Sequence, residues 1–140
     1  MRRIFFLLAF CSILTPCFAT VDDAISRALE AIDPYVKQGY IVRDDQWGGD
    51  LGVKEMKAIP HTLFKGNDYW FCMGTDVDNA RISIHVYDGR GKLAESDSWQ
   101  KGRYAAARVQ PAATGTYFIV AEVTNSQKDR TSWAMVYGFK

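Results

Sequence analysis

The chain has 140 residues, 48% hydrophobic and 24% charged, with 17 basic residues against 16 acidic ones and a formal net charge of +1. So even a balance leaves no basic surplus for phosphates, and no Lys/Arg stripe alternates with aromatic residues, which excludes electrostatic binding of nucleic acid. The histidines, His61 and His85, are only two, too few to assemble a zinc centre of the common kinds.

Arg2 and Arg3 precede an apolar run over residues 4–14, and Cys17-Phe18-Ala19 offers a small-residue cleavage site, the pattern of a secretory signal peptide over residues 1–19. The run falls short of the ~20 residues of a spanning helix, and neither Phe10 before Cys11 nor Thr15-Pro16 before Cys17 supplies the small residues of a lipidation site. A periplasmic or secreted protein with no membrane span after cleavage is expected. Cleavage removes Arg2, Arg3, Cys11 and Cys17, so the charge becomes −1 and Cys72 is left alone, unable to close an intramolecular disulfide. About 120 residues remain, enough for one domain that buries roughly two-thirds of its unfolded surface without staples.

Residues 20–38 predict one short amphipathic helix. Val21, Ala24, Ile25, Ala28, Leu29 and Ile32 recur on one face, Thr20 stands at the cap position, Asp22 and Asp23 fall in the first turn, and Pro34 closes the run. The stripe is expected to pack on the remainder of the chain, since exposed apolar stripes are rare on soluble monomers.

Residues 39–140 read as an all-β, antiparallel sandwich. Strands are expected over 40–42, 53–59, 69–73, 81–87, 92–95, 104–109, 116–123 and 132–139, with a polar loop, RDDQWGGDLG, over 43–52. Lys65-Gly66-Asn67-Asp68, Asp88-Gly89-Arg90-Gly91, Lys101-Gly102 and Thr114-Gly115 supply turn residues that tolerate positive φ. Ile82, Ile84 and Val86 alternate with Ser83 and His85, which places His85 outward. Trp133, Met135, Tyr137 and Phe139 likewise share a face, so the last segment is expected to be a core strand.

KGNDYWFCMG, IHVYDGRGKL and QPAATGTYFIVAEV, within residues 63–123, resemble bacterial pre-peptidase C-terminal domains. That likeness implies a jelly-roll-like sandwich of the kind attached to exported enzymes, here with no catalytic domain and with the family's aspartates partly kept as Asp76, Asp78 and Asn79. The same residues are similar to periplasmic inhibitors of g-type and i-type lysozymes, stand-alone sandwiches with a Ser-Gly-x-Tyr loop that enters the enzyme's cleft. Thr114-Gly115-Thr116-Tyr117 matches that loop with Thr in place of Ser; the plainer account is that Gly115 makes a turn and Tyr117 packs at a strand end.

Catalytic signatures are missing from the sequence. It has no Gly-x-Ser-x-Gly elbow and no His-Glu-x-x-His helix, and Cys72 reads as an inert buried thiol. His61, behind Pro60, falls in an expected connection. Asp76-Val77-Asp78-Asn79 offers oxygens to calcium but lacks the glycine and closing glutamate of an EF-hand, and with Asp44, Asp45 and Asp50 it reads as solvated turn. No metal and no cofactor are expected. Trp70 and Trp133 read as structural, whereas Trp47 and Trp99 fall in polar, glycine-flanked segments and stand as recognition aromatics, Trp99 together with Arg103 and Tyr104. The expectation is a non-catalytic exported module binding an envelope or extracellular protein or glycan, with lysozyme inhibition through residues 114–117 as its alternative.

Overall fold

The computed structural model describes residues 18–140; apart from its last two positions, the leader expected over residues 1–19 lies outside the described residues. Helix α1 spans Phe18–Val36. Thr20 therefore lies inside it instead of capping it, and Pro34 does not end it. Proline deprives the Glu30 carbonyl of its helical partner, but the helix continues to Val36 and is closed by a turn at Gly39. There Tyr40 N donates to Tyr35 O at 3.1 Å and Gly39 N to Val36 O at 3.0 Å, with Gly39 at φ 100°. This pair of bonds is a Schellman cap, which needs a left-handed residue at its centre. The Tyr35 and Tyr40 rings close it, edge to face at 6.1 Å.

Eight strands follow among the described residues: β1 (Ile41–Leu51), β2 (Met56–Leu63), β3 (Tyr69–Gly74), β4 (Arg81–Tyr87), β5 (Asp97–Lys101), β6 (Tyr104–Val109), β7 (Gly115–Asn125) and β8 (Thr131–Phe139). They form a five-stranded sheet in the order β1-β8-β3-β6-β5 and a three-stranded sheet in the order β2-β7-β4, every pairing antiparallel. All connections except β5–β6 cross between the sheets. The fold is thus the all-β antiparallel sandwich with one N-terminal helix that the alternation predicts.

Between the sheets, Phe71, Met73, Ile82, Ile84, Val86, Ile119 and Met135 are fully or almost fully buried. Each such side chain stabilises the fold by roughly 2 kcal/mol relative to exposure, which is how a core with no disulfide among the described residues holds. A second layer covers the outer face of the five-stranded sheet, where Ala28, Ala31 and Ile32 of α1 pack on Trp70, Cys72, Ala106 and Val136. The expected stripe is rotated by part of a turn: Leu29 remains 42% exposed, and Ala31 and Tyr35 take the inward positions. Gly74 sets the approach, since a Cβ there would stand 2.5 Å from Ala28 N.

Two strand expectations are corrected. The segment RDDQWGGDLG, read as a loop because aspartate and glycine are depleted in strands, is almost all β1, paired with β8 from Ile41↔Phe139 to Leu51↔Thr131. A bulge between Val42 and Gln46 absorbs its extra residues. Residues 92–95 contribute only one bridge, Tyr87↔Leu93, while the neighbouring polar stretch forms β5. No helix among the described residues is long and apolar enough to cross a membrane.

Candidate functional site

Trp99, Arg103 and Tyr104 lie together at the β5–β6 hairpin, but Trp99 is in a strand, not in a loop, and each makes a bond inside the fold. Trp99 Nε1 donates to Tyr35 Oη at 2.7 Å, Tyr104 Oη donates to Glu30 Oε2 at 2.5 Å, and Arg103 pairs with Asp78 at 2.9 Å. The hydroxyl of Tyr104, first among its neighbours, holds the Glu30 carboxyl below its ordinary range. Tyr35 is in turn stacked on Trp70, ring centroids 4.1 Å apart. The contacts of Tyr35 and Glu30 fasten α1 to the sheet, and the Arg103–Asp78 pair ties the hairpin to the β3–β4 connection. Beside them Asp78, Arg103 and Tyr104 border a shallow recess of about 640 Å³.

Thr114 ends the β6–β7 connection, and Gly115, Thr116 and Tyr117 are the first residues of β7. Tyr117 is 6% exposed and its hydroxyl donates to Ala113 O, four residues back, at 2.7 Å. Lys65 N donates to Thr114 Oγ1 at 2.9 Å, which ties the loop to the β2–β3 connection. Gly115 is not the turn glycine the sequence predicts: its φ is not positive, it opens β7 opposite Leu63, and a Cβ added there would meet nothing within 4 Å. Tyr117 is thus a clamp, and Thr114 and Thr116 are exposed above it.

Trp47 belongs to a third place, the seam where the free edges β1 and β2 of the two sheets face each other. It is half-buried, edge-on to His61 at 5.4 Å and stacked near Tyr137 at 5.7 Å. His61, expected in a connection, is in β2, paired with Tyr117. Pro60 before it is tolerated because β2 is an edge strand. His61 Nε2 and Tyr137 Oη are 3.0 Å apart, and Tyr137 Oη lies 3.4 Å from Asp45 Oδ2. Burial pushes the His61 imidazole down and, with the Asp45 charge, pushes the Tyr137 phenol up. Asp45, His61 and Tyr137 line a cleft of about 430 Å³ with Arg43, Phe64, Asn67 and Tyr69 among its walls, and Trp47 stands outside that lining. Sequence parity identifies Tyr137 as inward but cannot show that the edges of two different sheets meet.

The remaining chemistry-bearing groups are separate. His85 points outward as its parity predicts and bonds Glu95 at 2.6 Å; Glu95 Oε2 is buried with no hydrogen-bond partner. Cys72 is buried beneath α1, where desolvation raises its thiol pKa far above the ordinary value. Asp76 accepts from Ser132 and Asp78 from Arg103. Among the described residues no group of three His, Cys, Asp or Glu is placed to hold a metal ion.

Compared with known proteins, the chain matches no family model and no curated protein. The pre-peptidase C-terminal resemblance therefore receives no support from those comparisons. Its fold is similar to the crystal structure of Aeromonas hydrophila PliG, a periplasmic lysozyme inhibitor of g-type lysozyme, with a TM-score of 0.51 and 13% identity over 74% of this chain and 90% of that one. At that identity the likeness is one of fold.

Proposed function

We propose that the chain is an exported, non-catalytic protein-binding module that inhibits a lysozyme by presenting Thr114, Gly115 and Thr116 to the enzyme's cleft. The observation that carries this reading is the clamped loop. Tyr117 Oη on Ala113 O at 2.7 Å and Lys65 N on Thr114 Oγ1 at 2.9 Å hold it at two points, so little conformational entropy is lost when it binds. The fold shared with a g-type lysozyme inhibitor supports the same reading, and the leader expected over residues 1–19 agrees with a periplasmic or secreted location.

The test mixes the chain from Thr20 onward with c-, g- and i-type lysozymes and follows lysis of cell-wall suspensions. Stoichiometric protection against one class is expected. Thr116→Arg, an exposed substitution worth no more than about 0.5 kcal/mol in stability, is expected to abolish it. Protection against none of the three classes overturns the reading, and so does protection that Thr116→Arg leaves intact.

The recess beside Arg103 and Tyr104 favours a second reading, in which Trp99, Arg103 and Tyr104 receive an envelope protein or glycan. It ranks second because a ligand there competes with Tyr35, Asp78 and Glu30 for the same donors. Envelope-protein and glycan pull-downs that weaken with Arg103→Ala would promote it.

A further inference from the structure

We propose that the cleft between β1 and β2 is a binding site for a neutral saccharide, separate from the β6–β7 loop. Its volume, about 430 Å³, falls in the range of small-molecule sites, which combine apolar walls with a few convergent polar groups.

The polar groups select the ligand class. Arg43 and Asp45 both border the cleft, and Asp45 Oδ2 lies 3.4 Å from the Tyr137 hydroxyl. A ligand with a net negative charge is repelled by Asp45 and one with a net positive charge by Arg43, so either faces a like charge within the cleft. A neutral, hydroxyl-rich ligand satisfies both, donating to the carboxylate and accepting from the guanidinium. Other groups have capacity to spare. Tyr69 Oη accepts from Phe64 N at 3.0 Å and from Asn67 Nδ2 at 3.1 Å, so its own proton is directed elsewhere. Asn67 still has its amide oxygen and a second N–H, and His61, engaged through Nε2, has Nδ1 to offer.

The apolar side comes from Phe64, which is 54% exposed although it borders the cleft. Its flat face suits the C–H side of a pyranose ring, the non-polar surface a sugar presents between its hydroxyls. Arg43 is held over Phe139, 5.5 Å from the ring centroid, which fixes a charged donor at one wall without an ion pair to Asp45. Aromatic faces, planar polar side chains and balanced charge within one cleft describe a saccharide site.

Binding is tested without any lysozyme present, so the outcome is independent of the inhibitor reading. Neutral trisaccharides (tri-N-acetylchitotriose, cellotriose and maltotriose) are titrated against the chain from Thr20 by heteronuclear NMR, with trigalacturonate and chitosan trimer as the anionic and cationic counterparts. At least one neutral trisaccharide is expected to shift the resonances of His61, Asn67 and Tyr137 saturably below about 1 mM, roughly 4 kcal/mol of affinity. Both charged trimers should bind at least about tenfold more weakly. Asp45→Asn and Phe64→Ala change exposed side chains and should preserve the amide spectrum while weakening the neutral ligand about tenfold or more. No saturable shift with any neutral trisaccharide up to about 10 mM overturns the proposal, as do tighter binding of a charged trimer and shifts that both variants leave unchanged.

Discussion

The two outer regions of this sandwich use the same kinds of residue to opposite ends. On the face covered by α1, Trp70, Trp99, Tyr35 and Tyr104 are locked to one another or to Glu30, so aromatic surface is consumed in holding the helix. At the open end, Phe64, Thr114 and Thr116 are exposed, and His61, Tyr137 and Asp45 converge on a cleft. The difference teaches that counting tryptophans does not locate a binding site: an aromatic side chain is free for recognition only where its own fold has not already claimed its polar edge.

Substitutions on the covered face should therefore reduce stability, and those at the open end should reduce binding. The largest expected effect is Gly74→Ala. Its Cβ collides with the helix backbone at Ala28, and overpacking of this kind costs about 3 kcal/mol, read as a fall in the denaturant midpoint. Trp99→Ala follows at roughly 2 kcal/mol, less than for a fully buried tryptophan because the side chain is half-exposed; unchanged stability would break the comparison and return Trp99 to the list of recognition residues.

Asp68 secures the covered face further. It accepts two bonds from Arg108, at 2.9 and 2.6 Å, and one from Tyr40 at 2.8 Å, so the capped end of α1 is fastened to β6. The Arg108 hydrogen bonds, helped by Tyr40 and opposed by burial, hold its carboxyl below the ordinary value of 3.8. Because the folded value is the lower one, this contribution is present above pH 3.8 and is lost as the pH falls from there through the folded value. Asp68→Asn should cost about 1.5 kcal/mol at neutral pH and flatten that part of the acid limb of melting temperature against pH.

Smaller effects are expected at the open end. Tyr117→Phe deletes the bond to Ala113 and should cost about 1 kcal/mol, yet weaken lysozyme inhibition far more than that figure implies if the clamp positions the loop; a lysis assay beside a melting curve separates the two. The smallest is His61→Gln. The imidazole is depressed below 6.5 by burial, so its contribution is complete above pH 6.5 and declines as the pH falls through the folded value. The variant should lose that shallow slope.

How much of this was legible follows from where each signal resides. Ile82, Ile84 and Val86 announce β4 by strict alternation, and Trp133, Met135 and Tyr137 announce the inner face of β8, because a sheet imposes its period of two on the residues themselves. β1 is illegible for the opposite reason: Asp44, Asp45, Gly48 and Gly49 are poor strand formers, and only the ladder to β8 holds them extended. The clamp at Tyr117 is half legible, as the motif marks the loop but not that Gly115 needs no special backbone. The cleft lies beyond single-sequence reading, since it depends on β1 and β2, edges of different sheets, closing on one another.

The crossing connections have a kinetic consequence. With only the β5–β6 hairpin joining neighbours in one sheet, almost every pairing must wait for distant segments to meet, and chains with this wiring fold in milliseconds to seconds, not microseconds. During that interval the Cys72 thiol is open to solvent; afterwards it is sealed beneath α1. A thiol reagent that cannot reach the native molecule will therefore label Cys72 only when the helix-covered layer opens, which makes this buried thiol an internal clock for unfolding.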